Sequence, residues 1–224
     1  MSNAFHLPVL RSALLPGLLA GLLLTTGCGG PSEDKLLASA REHQAKGEID
    51  AAKLQAKSAL QANPQSGPGR LLLGKLLLAG GDAAGAEAEL QRALELGQTE
   101  QAVLPALAEA MVMLQKGRQL LTQFGKVNLT EALADAEFKT QLAIAEGSDN
   151  NLQGARDLQR QALRSQADFA PALVLGARLS SAEGDQAGAL KQVDDLLAKQ
   201  PKLSDAWMLK AELLLRVQPD DRRL

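Results

Sequence analysis

Residues 71–96, LLLGKLLLAGGDAAGAEAELQRALEL, contain the pattern that predicts the fold of this chain. Two stretches rich in Leu and Ala, which favour helices, lie on either side of a turn at Gly81. Gly74 lies seven positions before Gly81, and Ala86 lies five positions after it. Because two antiparallel helices joined by a tight turn cross closely where both have small side chains, this stretch predicts a helix-turn-helix hairpin.

The hairpin pattern recurs along the chain at a nearly constant spacing. The predicted turn residues are Gly47, Gly81, Gly117, Asn150 and Gly184, with spacings of 34, 36, 33 and 34. The small residues seven places before each turn are Ala40, Gly74, Ala110, Ala143 and Ala177, with Ala211 in a sixth repeat. Those five places after each turn are Ala52, Ala86, Thr122, Ala155 and Ala189. A repeat of this length predicts stacked hairpins.

The composition argues against several classes of function. The 224 residues include 24 Lys and Arg against 26 Asp and Glu, so the basic excess typical of nucleic-acid binding is missing. One Cys and two His are too few for a Cys/His metal cage, and no carboxylates are paired at a spacing that suggests acid–base catalysis. We therefore expect no enzymatic activity, catalytic residue, cofactor or bound metal, and we assign His43 to helix packing.

The N-terminus looks like a bacterial lipoprotein signal. The apolar stretch from Ala13 to Leu24 is too short to span a bilayer, which takes about 20 residues in a helix, and it fits the apolar part of an export signal. Residues 25–28, Thr-Thr-Gly-Cys, resemble a lipobox, although Thr25 replaces the usual Leu. The resemblance implies a signal peptide over residues 1–27, an acylated Cys28 and a tether over residues 28–33. The alternative is an ordinary signal peptide or an uncleaved anchor.

Gly29, rather than Asp, follows the cysteine. In Gram-negative lipoproteins, which this N-terminus resembles, that arrangement implies sorting to the outer membrane. We therefore expect a lipid-anchored protein on the periplasmic face of the outer membrane.

The repeat pattern resembles the tetratricopeptide repeat (TPR). The matching residues are Leu73, Gly74, Gly81, Asp82, Ala86, Ala93 and Leu94, and Trp207 takes the family's aromatic position in a sixth unit. The resemblance implies an all-α fold, a right-handed α-solenoid of TPR-like helix-turn-helix repeats. Five units and a half unit would cover residues 34–217, followed by a tail over residues 218–224.

Within this superfamily, the lipobox and units such as residues 169–201 look like the N-terminal part of longer TPR lipoproteins. Those lipoproteins belong to exosortase/PEP-CTERM exopolysaccharide systems. The resemblance implies a scaffold for proteins in PEP-CTERM sorting or exopolysaccharide export. The alternative is an envelope assembly factor that binds client polypeptides.

In the TPR fold, the first helix of each unit lines a concave groove, and the resemblance assigns groove residues by their position in the unit. They are Arg41, Leu71, Lys75, Leu78, Leu107, Met111, Leu114, Thr140, Ile144 and Arg178. They predict an apolar strip with basic flanks that takes an amphipathic helix or an extended peptide of a protein partner. The alternative for each leucine is a place in the core between repeats.

The third and fourth units depart from the pattern. Gly125 and Asn128 predict a short second helix in the third unit, and Thr130 with Glu131 predicts the N-cap of the next helix. Glu146, with a glycine after it, predicts an early end for the first helix of the fourth unit.

The last predicted helix, from Ala206 to Val217, is apolar around most of its circumference, whereas a terminal repeat needs a polar outer face. Either the chain is a truncated form of a longer array, or another subunit or partner buries this helix. The second case predicts self-association through Trp207 to Val217.

Overall fold

The computed structural model describes residues 31–217, and this part of the chain consists of eleven α-helices and no strand. The helices are α1 (Glu33–Ala45), α2 (Ile49–Ala62), α3 (Gly67–Ala79), α4 (Ala83–Glu95), α5 (Glu100–Met113), α6 (Gly117–Phe124), α7 (Ala132–Ser148), α8 (Leu152–Ser165), α9 (Ala170–Ala182), α10 (Gln186–Lys199) and α11 (Ser204–Val217). The predictions for residues 1–27, Cys28 and residues 218–224 lie outside the described residues.

The helices from α1 to α10 form five hairpins, and α11 follows as the first helix of a sixth unit. Each hairpin packs against the next one along the chain. The first helices also contact one another, α1 with α3, α3 with α5, and so on to α9 with α11. They therefore form a continuous wall along one side of the array.

The tight turn of each hairpin contains one residue with a positive φ. These residues are Gly47, Gly81, Gln115, Asn150 and Gly184, with φ of 76°, 82°, 57°, 63° and 93°. The third turn is therefore centred on Gln115, and the prediction of Gly117 is wrong because Gly117 is the first residue of α6. A glutamine is uncommon in this left-handed region, so its residue type does not indicate a turn.

Counted from the observed turns, the small residues seven places earlier are Ala40, Gly74, Ala108, Ala143 and Ala177, and all five are buried. The residues five places after the turns are Ala52, Ala86, Leu120, Ala155 and Ala189, and all are fully buried. The close crossing of two helices at small residues is thus confirmed in the first, second, fourth and fifth units. The third unit differs because Leu120 takes the place of an alanine, and the predicted Ala110 and Thr122 belong to other positions.

The third unit has the short second helix that the sequence predicts, since α6 spans only Gly117–Phe124. The loop after α6 leads to α7, whose N-cap is Glu131. The side-chain oxygen of Gln101 accepts hydrogen bonds from the backbone N–H groups of Thr130 and Glu131, at 3.0 and 2.6 Å. A side chain of α5 therefore fixes the start of α7, whereas the sequence suggested a local cap.

The prediction that the first helix of the fourth unit ends early is wrong. Helix α7 continues through Glu146 to Ser148. The Glu146 carboxylate accepts a hydrogen bond of 2.8 Å from the Asn151 amide at the following turn. This bond links the last turn of α7 to the loop that follows it.

Candidate functional site: the concave groove

A groove with a volume of about 560 Å³ crosses the wall of first helices from α3 to the start of α11. Its lining residues are Lys75 of α3, Gln101, Ala102, Pro105, Ala106 and Glu109 of α5, Glu137, Thr140 and Gln141 of α7, Phe169 and Pro171 at the start of α9, and Asp205 of α11. A smaller recess of about 300 Å³ lies between α3 and α5, beside Leu78, Ala79 and Ala106.

Helix α5 forms the floor of the groove. Ala102, Pro105, Ala106 and Glu109 follow one another at intervals of one to three positions that keep them on one side of the helix. The alanines leave room for a ligand close to the helix backbone. Pro105 has no backbone N–H, so the carbonyl of Gln101 lacks its helical partner on this side.

Three predicted groove residues, Lys75, Leu78 and Thr140, line these cavities. Leu107 and Met111 do not, because both are fully buried in the largest core cluster, with Phe138 and Leu120. The prediction for these two residues is wrong because it assumes a third turn at Gly117, two positions after the observed turn at Gln115. A shift of two positions rotates a side chain about the helix axis by about 200°, which exchanges the groove side for the core side.

The other predicted groove residues lie elsewhere. Leu71 is half-buried against the largest core cluster, and Ile144 is half-buried against a cluster formed by α7, α8 and α9. Leu114 is the C-cap of α5. Arg41 is exposed on α1. Arg178 is exposed on α9, pairs with Glu212 of α11 at 2.9 Å and lines a separate recess of about 190 Å³.

The groove is acidic and polar, which corrects the prediction of an apolar strip with basic flanks. Glu109, Glu137 and Asp205 contribute three carboxylates, and Lys75 contributes the one ammonium group among the lining residues. None of these four side chains has an ion-pair partner within 4 Å among the described residues. The groove thus presents charges that the described fold does not neutralise directly.

The surroundings shift the pKa values of two glutamates that line the groove, Glu109 of α5 and Glu137 of α7. Desolvation raises the pKa of Glu109, and the nearby Glu137 raises it further. Desolvation also raises the pKa of Glu137, and Lys75 partly offsets this effect. Both carboxylates would therefore be stabilised in the ionised form by a cationic group placed between them.

Sequence reasoning missed Pro105 and Glu109, although a signal for both was present. They lie one repeat length after Leu71 and Lys75, which were assigned to the groove. Recognising Gln115 as the turn residue would have replaced Leu107 and Met111 with Pro105 and Glu109.

Among residues 31–217, no helix is long and apolar enough to cross a bilayer. Within the same range, no group of three or more His, Cys, Asp or Glu side chains is placed to hold a metal ion.

The family model of the tetratricopeptide repeat matches residues 43–110. A thermophilic TPR protein from Thermus thermophilus superimposes with a TM-score of 0.65 at 23% identity, over 82% of this chain and 100% of that one. This chain has the TPR fold. The predicted all-α solenoid of TPR-like hairpins is therefore confirmed.

Two further solved structures are among those that have a similar fold. One is YrrB, described as a TPR protein with an unusual peptide-binding site, with 18% identity, 79% and 90% coverage and a TM-score of 0.56. The other is a MamA fragment from Desulfovibrio magneticus RS-1, with 14% identity, 78% and 98% coverage and a TM-score of 0.62. No curated protein sequence matches the chain.

Proposed function

We propose that this TPR protein is a non-catalytic scaffold that holds a segment of a protein partner in its concave groove. The observation that carries the proposal is the 560 Å³ groove lined by first helices of successive units. TPR proteins bind protein or peptide partners, and YrrB, which has a similar fold, is described as having a peptide-binding site. TPR proteins are also, in general, scaffolds rather than enzymes.

The lining favours an extended partner segment with a basic side chain. Ala102 and Ala106 leave space close to α5, and the side chain of Gln141 offers hydrogen-bonding groups to a peptide backbone. A Lys or Arg side chain between Glu109 and Glu137 would form charge-assisted hydrogen bonds with two partly desolvated carboxylates. Of the amphipathic helix and the extended peptide that the sequence predicts, this lining favours the extended peptide, with a basic side chain in place of apolar contacts.

We further propose that Cys28 carries a lipid that anchors the protein to the periplasmic face of the outer membrane, and that the partner belongs to PEP-CTERM sorting or exopolysaccharide export. The support is the lipobox-like sequence of residues 25–28, Gly29 after it, and the resemblance of the repeat units. The alternative partners are client polypeptides of an envelope assembly factor.

The groove proposal is tested by affinity capture from detergent-solubilised envelopes, followed by mass spectrometry. The full chain is compared with a Glu109→Lys/Glu137→Lys variant. The control is Glu95→Lys/Asp195→Lys, which makes the same charge change on exposed positions of the second helices α4 and α10. We expect the wild type and the control to retain the same partner and the groove variant to lose it. Equal retention by all three would exclude the groove.

The identity of the captured proteins tests the cellular role. Components of a sorting or polysaccharide export apparatus would support the first proposal, whereas a broad set of outer-membrane precursors would support the assembly alternative. The anchor is tested separately with Cys28→Ser, which we expect to move the protein from the membrane fraction to the soluble fraction. Unchanged fractionation would contradict acylation.

A further inference from the structure

The charged side chains of the groove lie in two separate places. The charge of Glu137 on α7 acts on Glu109 of α5, and the charge of Lys75 on α3 acts on Glu137, so these three side chains form one cluster. Asp205 lies apart from them, in the first turn of α11. Helix α9 packs between α7 and α11 along the wall of first helices. The groove therefore has an acidic cluster near one end and a single carboxylate at the other.

The start of α9 lies between these two acidic places, and its contribution to the groove is apolar. Phe169 is half-buried against a small core cluster of Ala136, Ala162 and Ala172, and Pro171 is exposed. Both Phe169 and Pro171 line the groove. Neither side chain has a hydrogen-bonding atom, and proline has no backbone N–H. A bound segment therefore meets an apolar surface at this point.

We propose that the segment held in the groove carries two basic side chains with an apolar side chain between them. This basic-apolar-basic pattern rests on the groove function proposed above and specifies the sequence of the partner. One basic side chain pairs with Glu109 and Glu137, and the other pairs with Asp205. The apolar side chain lies over Phe169 and Pro171.

The charge of the lining agrees with two basic side chains. Three carboxylates and one ammonium group give the lining a formal net charge of −2, which two cationic side chains neutralise. None of the four charged groups has an ion-pair partner within 4 Å among residues 31–217. A ligand therefore forms its charge-assisted hydrogen bonds without displacing an internal partner.

The stacking of the first helices sets the spacing of the two basic side chains. Helix α7 packs on α9, and α9 packs on α11, so two helix-to-helix steps separate Glu137 from Asp205. Packed helices lie about 8–10 Å apart, and an extended chain rises about 3.3 Å per residue. The two basic residues are therefore about five or six positions apart, with the apolar residue near the middle.

Lys75 limits the pattern at the end of the groove that α3 forms. A further basic residue beyond the acidic cluster would meet the like charge of this ammonium group, which disfavours segments that are basic throughout. A peptide with additional Lys residues on both sides of the pattern should therefore gain more affinity from Lys75→Gln than a peptide with only two Lys residues.

The exposed apolar side chains of α11 do not contribute to this pattern. Trp207, Met208 and Leu215 are 50, 56 and 74% exposed, but none of them lines the groove. Only the first turn of α11, through Asp205, takes part in selecting the segment.

The test is fluorescence anisotropy with labelled synthetic peptides and the full chain in detergent, at low ionic strength, where charge contacts are screened least. The spaced peptide is a short Ala/Ser peptide with two Lys residues at the derived spacing and a Leu midway. The clustered peptide has the same composition, with the Lys and Leu residues adjacent. We expect the wild type to bind the spaced peptide about tenfold more tightly, because only this peptide reaches both acidic places.

The variant Asp205→Asn removes one acidic place with almost no change in shape. Its matched control is Asp34→Asn, which changes an exposed carboxylate in the first turn of α1, outside the groove. We expect Asp205→Asn to weaken binding of the spaced peptide about tenfold, to the level of the clustered peptide, and Asp34→Asn to leave it unchanged. Glu109→Gln/Glu137→Gln should weaken the binding of both peptides.

Two results would overturn the pattern. One is equal affinity of the wild type for the two peptides, and the other is equal affinity of Asp205→Asn and Asp34→Asn for the spaced peptide. If both peptides bind equally and both are lost in Glu109→Gln/Glu137→Gln, the groove still holds a basic segment and only the pattern is wrong. If neither peptide binds, the pattern is also wrong, and the affinity capture described above decides the groove function independently. Circular dichroism checks that each variant is folded.

Discussion

Gly74 lies at the crossing of α3 and α4, where the available space is smaller than a methyl group. A Cβ atom added to Gly74 would lie 2.6 Å from Cγ of Leu90 and 3.3 Å from its backbone nitrogen. The four other units have alanine at this crossing, and three of them also have alanine on the partner helix. The second unit is therefore the one in which the two helices approach too closely for any side chain.

Replacing Gly74 by Ala tests this close approach. We expect the free energy of unfolding to fall by about 1–3 kcal/mol, because Leu90 must move away from a well-packed position. The measurement is urea denaturation followed by circular dichroism.

The control is Gly147→Ala in α7. A Cβ atom there would meet only Ala155 Cβ at 3.8 Å, an ordinary contact. We expect this substitution to be neutral or to stabilise the fold by up to about 1 kcal/mol through helix propensity. Stabilisation by both substitutions would contradict the close crossing.

The loop between α6 and α7 joins the third and fourth units of the array. A buried polar network holds this loop in place. Asp135 and Lys139 of α7 lie 3.4 Å apart and are each less than a tenth exposed. The Asp135 carboxylate accepts hydrogen bonds from the N–H of Leu129 and the hydroxyl of Ser165, while Lys139 donates to Asn128 at 2.9 Å. One carboxylate thus connects the loop, α7 and α8.

We therefore expect the Asp135→Ala substitution to destabilise the fold. It leaves the ammonium of Lys139 buried without its ionic partner, and we expect a loss of about 3 kcal/mol in the free energy of unfolding. The amide of Leu129 should also lose its protection in hydrogen exchange.

Asp149→Ala provides the comparison. Asp149 pairs at 2.9 Å with Arg118, whose side chain is 84% exposed. We expect a loss below about 1 kcal/mol there, as for other surface pairs. Equal losses for the two variants would argue against a structural role of the buried network.

The acidic groove is a property of the whole molecule. Lys75, Glu109, Glu137 and Asp205 come from four different units, and no single hairpin contains the site. The raised pKa values of Glu109 and Glu137 also arise from stacking, because the neighbouring units remove water from both carboxylates. Stability and groove charge are therefore linked through pH.

The Glu109→Gln/Glu137→Gln variant tests this linkage. A carboxyl group with a raised pKa in the fold destabilises it on ionising, so the contribution of these two glutamates to wild-type stability should fall as the pH rises from about 4.5 through the raised values. We expect the variant to match the wild type at about pH 4 and to be more stable at about pH 7. Urea midpoints across this range measure the difference.

Glu42→Gln is the control with the opposite sign. A hydrogen bond from Lys46 lowers the pKa of Glu42, so this exposed carboxylate favours the fold when it is ionised. The Gln variant should be slightly less stable than the wild type at neutral pH, and this difference should vanish as the pH falls. Parallel curves for the wild type and the double groove variant would contradict the raised pKa values.

The sequence by itself determined the helical hairpins, the length of their repeat and most crossing points. These features depend on local periodicity and on small residues at fixed distances from a turn, and each repeat contacts mainly its neighbours. The exposed apolar face of the last helix was also visible in the sequence.

Only the tertiary structure decided the third turn and the lining of the groove. Gln115 has a positive φ, which is uncommon for glutamine, so the sequence does not indicate a turn there. The resulting error of two positions assigns Leu107 and Met111 to the groove, whereas both are buried in the core. Glu109 and Glu137 belong to different units and come near each other only when α5 packs on α7. Their proximity depends on the stacking of separate units, which no local pattern specifies.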